Sequence, residues 1–184
     1  MKKTHFSSDL HLGHKNILKY DNRPFSTIDE HDKVLIDNWN EVVDGEDDIY
    51  FLGDFCFGRP EYAEQIMQQL KGNKFFIWGN HDKYMVSLYK KYGTYLGMSA
   101  IVKVNGQEIT LNHFAQRVWN RSHHGAYHFY GHSHDSLEYE EWGKSMDVGV
   151  QSAYRLFGKY RPMSFEEIKN ILDKREFKII DHHR

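Results

Sequence analysis

Residues 48–82, DIYFLGDFCFGRPEYAEQIMQQLKGNKFFIWGNHD, read as one strand–helix–strand unit, and that reading sets the fold class. Asp48-Ile49-Tyr50-Phe51-Leu52 and Lys74-Phe75-Phe76-Ile77-Trp78 are short, nearly continuous β-prone apolar runs, the pattern of strands buried on both faces. Between them Pro60 suits a first helical turn. Ala63, Ile66, Met67 and Leu70 then recur at three- and four-residue steps until Gly72 stops the helix. Both runs end in a glycine and a polar residue, Gly53-Asp54 and Gly79-Asn80-His81-Asp82. In open α/β sheets ligands bind beyond the carboxyl ends of the strands, so these polar residues are candidates for chemistry.

Upstream, Lys3 to Ser8 reads as an opening strand that delivers Asp9-Leu10-His11. Ser26/Thr27 followed by Asp29/Glu30 predicts a capping box, and Ile28, His31, Leu35, Trp39 and Val42 fall on one face of the helix it opens. Downstream, Asp82 to Tyr92 is expected to be helical, stopped by Gly93. Asn105-Gly106 between Ala100–Val104 and Gln107–Asn112 signals a hairpin. Tyr127–Tyr130 and Ser145–Val150 are expected as further strands of an antiparallel meander. Ser164-Phe165-Glu166-Glu167 is expected to open a capped helix with Phe165, Ile168 and Leu172 inward, and Phe177–Asp181 to form a closing strand. Strand–helix alternation followed by a meander predicts an α/β architecture of two stacked sheets with helices outside. The 184 residues suit a single domain over 1–184, since domains most often run ~100–150 residues and seldom split below ~250.

Twenty-four Lys+Arg against 26 Asp+Glu leave a formal net charge of -2, so no bulk positive field exists to hold long duplex nucleic acid. No apolar stretch approaches the ~20 residues that cross a bilayer, and Met1-Lys2-Lys3 leads into no signal-peptide core, so a cytoplasmic protein without a membrane partner is expected. Cys56 is the only cysteine, which excludes a disulfide framework and a thiolate zinc site. The 13 histidines are the compositional anomaly, because imidazole is the commonest metal ligand. Asp9, His11, Asp54, Asn80, His113 after the hairpin, and His132 and His134 of Gly131-His132-Ser133-His134 all follow predicted strands. Seven such ligands are too many for one ion. They divide into two sites if one carboxylate bridges, and the carboxylate, imidazole and amide set suits Mn, Fe, Zn, Co or Ni, with Mn²⁺ the leading expectation.

The order D-x-H, GD, GNHD, lone H, GHxH resembles the calcineurin-like metallophosphoesterases, and every element is intact from Asp9 to His134. Asp9-Leu10-His11-Leu12-Gly13-His14-Lys15-Asn16-Ile17 and Asn22-Arg23-Pro24-Phe25 are similar to the small single-domain bacterial and phage branch. The resemblance implies a four-layer sandwich of two mixed sheets flanked by helices. It implies one divalent ion on Asp9, His11, Asp54 and His134, and a second on Asp54, Asn80, His113 and His132, with Asp54 as the bridge. His81 becomes the unligated catalytic histidine and Asp82 the partner that orients its ring. The implied reaction is in-line attack of a metal-bridging hydroxide on a small phosphodiester or phosphomonoester, with nucleotides among the candidates. His14 and Arg23 are further candidates for touching the substrate phosphate. The alternatives are a nuclease on short nucleic acid and a non-catalytic scaffold of the same fold.

Overall fold

In the computed structural model, residues 2–138, 142–176, 179, 181 and 182 are described. A first sheet has the order β4-β3-β2-β1-β9, formed by Thr4–Ser7 (β1), Asp48–Phe51 (β2), Asn73–Ile77 (β3), Thr94–Gly97 (β4) and Met163–Ser164 (β9). β1 to β4 run parallel, and β9 closes the edge antiparallel to β1. The second sheet, β5-β6-β7-β8, comprises Ser99–Val104 (β5), Gln107–Asn112 (β6), Tyr127–Tyr130 (β7) and Ser145–Asp147 (β8).

β5 and β6 form the expected hairpin, with Asn105 (φ 49°) and Gly106 (φ 86°) both left-handed as a tight two-residue turn requires. The expected antiparallel meander does not follow. β6 pairs with β7 and β7 with β8 in parallel, because the long segments between these strands carry the chain back before each new strand begins. The second sheet is therefore mixed, like the first.

Among the described residues, six α-helices accompany the sheets: Ile17–Tyr20 (α1), Ile28–Val42 (α2), Pro60–Met67 (α3), Val86–Tyr92 (α4), Val150–Phe157 (α5) and Phe165–Leu172 (α6). Thr27 caps α2 by accepting from the Glu30 N–H, while Glu30 reaches back to the Ser26 N–H, so the expected box is shared between two residues. Ser164 and Glu167 make the complete box at α6. α4 starts four residues later than the sequence predicts, and α5 replaces the end of the predicted strand Ser145–Val150. The predicted strand Phe177–Asp181 falls mostly outside the described residues.

Two apolar cores result. Leu35, Trp39, Ala63, Ile66 and Tyr89 pack one face of the first sheet against Ile49, Phe51 and Phe76. The Phe76 and Tyr89 rings stack at 4.2 Å. Phe6, Leu52 and Ile77 on the other face meet Ile109, Leu111, Tyr127 and Phe129 of the second sheet, with Phe165, Ile168 and Leu172 of α6. Burying these large side chains stabilises the fold by about 1.5–3 kcal/mol each, and it fixes both sheets with the carboxyl ends of β1, β2, β3, β6 and β7 close together.

Candidate metal centre

The chain beyond β1 and β2 continues as paired backbone: the Asp9 N–H donates to Gly53 O (3.0 Å), His11 N–H to Asp54 O (3.1 Å) and Leu12 N–H to Phe55 O (3.0 Å). The β7 loop joins from the other sheet, where Gly131 N–H donates to His113 O (2.9 Å) and His132 N–H to Asp9 Oδ2 (3.0 Å). Two glycines make this approach possible. A Cβ on Gly79 would fall on the Asp54 carboxylate and backbone N–H, and one on Gly131 would fall on Ser8 Oγ and Asp9 Oδ2.

Asp9, His11, Asp54, His132 and His134 all have positive φ, between 46° and 64°. A left-handed non-glycine residue costs about 1–2 kcal/mol, and strain of this kind persists where surrounding contacts over-determine a site. Five strained residues from three loops, all turned toward one point, mark that point as the candidate site.

The ligand atoms form two groups. In the first, His134 Nε2 lies 3.5 Å and His11 Nε2 3.7 Å from Asp9 Oδ1, and the two imidazole nitrogens are 3.0 Å apart. In the second, His113 Nε2 lies 3.5 Å from Asp54 Oδ2 and 3.0 Å from Asn80 Oδ1, and the exposed His132 completes the group. Asp54 Oδ2 is also 3.8 Å from His11 Nε2, so one oxygen stands between the groups. Asp54 Oδ1 is held aside by the His81 N–H at 3.0 Å.

The donor set fits a divalent metal. Asp9 Oδ1 is buried without a hydrogen-bond partner among the described residues, an expensive condition for a carboxylate that a cation would relieve. His113 donates from Nδ1 to Leu52 O (2.7 Å), and His134 Nδ1 meets the Asp21 carboxylate (2.7 Å), so both rings turn Nε2 inward. Burial alone would raise the Asp9 carboxyl, but the His11 and His134 rings hold it well below the usual carboxylate range. Burial works against a charged His113, yet the Asp54 carboxylate, Asp9 and the Leu52 carbonyl outweigh it and push the ring up to about 9. His134 is pushed up to about 10, against its burial, by Asp21 and Asp9. Without metal, the site's negative charge holds protons that a cation would displace.

One expected role is corrected. Asp82 does not orient the His81 ring. Its fully buried carboxylate accepts from the backbone N–H groups of Gly79 (2.8 Å), Asp54 (2.9 Å) and Phe55 (3.1 Å), binding the β2 and β3 loops together. This use of the side chain also explains the late start of α4, because Asp82 belongs to the turn before it. Arg23, a candidate substrate contact from the sequence, has a fully buried side chain. Its buried guanidinium donates to Leu10 O and Asp9 O, both at 3.0 Å, and to Asp21. These bonds leave it serving the strained first loop.

His81 stands at the mouth with 47% of its side chain exposed, its Nε2 4.0 Å from Asp54 Oδ2. Phe57 packs against it at 4.6 Å, against His14 at 4.1 Å and against His11 at 5.3 Å, roofing the first group. His14 is half-buried at the rim. His128, by contrast, is buried on the outer face of the second sheet beside Trp119, bonded to Thr110 O and Gln116 N–H, and burial pushes it down to about 4. Cys56 is buried, as expected of a small apolar filler.

Sequence reasoning missed Asp21 and Asp147. Asp147 accepts from Ser133 Oγ (2.7 Å), Asp135 N–H (2.9 Å) and Gly149 N–H (2.7 Å), fastening the loop that bears His132 and His134. A lone carboxylate inside Met146-Asp147-Val148 was the available signal. Asp21 meets its partner across 113 positions, and no local pattern announces that.

Two mixed sheets with flanking helices, carrying paired groups of nitrogen and oxygen ligands at their carboxyl edge, define an α/β protein with a candidate metal centre. Residues 5–149 match the calcineurin-like phosphoesterase superfamily domain, and the chain belongs to that superfamily. It is 33% identical over 180 residues to an uncharacterized protein of Methanocaldococcus jannaschii, an alignment covering 95% of this chain and 93% of that one. It is also 36% identical over 85 residues to the gene 66 protein of Mycobacterium phage L5, covering 45% of this chain and 41% of the other. A crystal structure of a protein of unknown function from Aquifex aeolicus shares the fold, with a TM-score of 0.71 and 23% identity, over 93% of this chain and all of that one. Among the described residues no helix is long and apolar enough to cross a membrane.

Proposed function

We propose that this chain, as one domain over 1–184, is a binuclear metal-dependent phosphoesterase acting in the cytoplasm on a small phosphodiester or phosphomonoester. The observation that carries the reading is the position of Asp54 Oδ2, 3.8 Å from His11 Nε2 of one ligand group and 3.5 Å from His113 Nε2 of the other. Asp9, His11, Asp54 and His134 would hold one ion, and Asp54, Asn80, His113 and His132 the other. When bound, two such ions, with Mn²⁺ the leading candidate, polarise a phosphoryl group and acidify an attacking water.

The protein's own groups supply the rest. Leu52 O and Asp21 fix the proton positions of His113 and His134, leaving each Nε2 free to ligate. The His81 N–H holds Asp54 Oδ1, so that Oδ2 alone turns to both groups. The His81 ring, at the mouth and near that oxygen, is placed to give a proton to the departing ester oxygen. Phe57 covers His11 and limits water on that side, and His14 beside it is the candidate contact for a substrate phosphate oxygen.

The test is a metal-supplemented screen of aryl phosphomonoesters, aryl phosphodiesters and cyclic nucleotides. Turnover that requires Mn²⁺ and is abolished by chelation is expected. No turnover of any of them by protein shown to carry two ions would favour the scaffold alternative. Steep salt dependence would favour a short nucleic-acid substrate.

A further inference from the structure

The Asp21 carboxylate sits at the C-terminal end of α1, against the carbonyl end of a helical turn, where negative charge is the less favourable sign. It is nonetheless almost fully buried, with 9% of its side chain exposed. Both oxygens approach His134 Nδ1, at 2.7 and 2.8 Å, while Nε2 of the same ring points to Asp9 Oδ1. Arg23 donates to Asp21 Oδ2 from Nε (3.2 Å) and from its terminal nitrogen (3.0 Å), and the same guanidinium holds the carbonyls of Asp9 and Leu10. Asn22 between them is left-handed, a conformation asparagine tolerates well, and it lets both charges turn inward.

We propose that Asp21 is a positioning residue for the first metal group: it fixes the His134 ring with its proton on Nδ1 and, through Arg23, locks that ring to the strained Asp9 loop. The inference rests on the metal-centre reading above. Among the described residues His113 of the second group has no carboxylate behind it, its Nδ1 donating instead to the neutral Leu52 carbonyl. Asp21 therefore acts on one site of the pair. A carboxylate behind a ligating imidazole raises its basicity and fixes its orientation, and removing such a partner typically costs 10–100-fold in metal affinity.

The experiment compares Mn²⁺ binding by the metal-stripped full chain, using chelator competition, in wild type, Asp21→Asn, Asp21→Glu and a control, Asp47→Asn. Asp47 forms a similar buried pair with His5 away from the site. Asp21→Asn is expected to weaken one Mn²⁺ equivalent by about 10–100-fold and leave the other within about threefold. Asp21→Glu should recover part of the loss, and Asp47→Asn should bind both ions as wild type does. Two wild-type affinities in a folded Asp21→Asn protein would overturn the proposal alone. No Mn²⁺ binding by wild type would instead remove the metal-centre reading and this inference with it. Should Asp21→Asn fail to fold, ¹⁵N spectra of histidine-labelled wild type decide. A His134 proton on Nδ1 in the metal-loaded protein supports the role, and one on Nε2 overturns it.

Discussion

The carboxylate of Asp82 accepts a hydrogen bond from the backbone N–H of Asp54, 2.9 Å away, and so fixes the one side chain that stands between the two ligand groups. The same carboxylate takes the N–H groups of Gly79 and Phe55, and burial pushes it up to about 6 in spite of those donors and with the help of the Asp54 charge. Asp82 is thus a clamp between two loops.

Asp82→Ala should cost at least about 3 kcal/mol, because a buried donor left without its acceptor costs about 1–3 kcal/mol and three are released here. Urea unfolding of the metal-loaded protein measures this. A variant of wild-type stability with reduced turnover alone would restore the orienting role for His81.

His81→Ala should keep a metal content near two ions and lower turnover by ~10²–10⁴-fold, the usual scale for a lost general acid. Its ring is half exposed and contributes no ligand atom to either group. Elemental analysis showing metal loss in this variant would make it a ligand instead.

Gly131→Ala should lose Mn²⁺ affinity and stability together, since the new methyl would occupy the space of Ser8 Oγ and Asp9 Oδ2. Gly45→Ala meets nothing within 4 Å and should behave as wild type. Equal melting temperatures for the two variants would show that the loops have more room than the geometry allows.

The metal-free protein should lose stability as pH rises from 6.5 toward 10. His113 and His134 are raised in the fold, to about 9 and about 10, from an ordinary 6.5. A raised value means tighter proton binding when folded. The stability gained is complete below pH 6.5 and disappears as pH climbs through the folded values. Manganese should reverse the trend, because its binding needs neutral rings and improves with pH. Unfolding midpoints at pH 6 and pH 9.5, with and without Mn²⁺, test both halves; identical pH slopes in the two states would contradict the account.

The first half of the chain was legible because each candidate ligand follows an apolar run whose burial the sequence states directly. Asp9, Asp54 and Asn80 needed only the rule that sites lie beyond parallel strands. Pairing in the second half was not legible: periodicity identifies Tyr127–Tyr130 as a strand but does not say that it runs parallel to β6. Thr94–Gly97 escaped because it is a half-exposed edge strand between glycines, and α5 because Val148-Gly149-Val150 continues an apolar run. The bonds of Arg23 and Asp21 were not legible for a common reason. Their partners are the carbonyls of Asp9 and Leu10 and the ring of His134, and such long-range bonds leave no periodic trace.

Anomalous scattering at the manganese edge from crystals grown with saturating Mn²⁺ tests the central claim most directly. Two peaks about 3.5–4 Å apart with Asp54 Oδ2 between them are predicted. A single peak, or none, with Asp54 turned away from both imidazole groups, would contradict it.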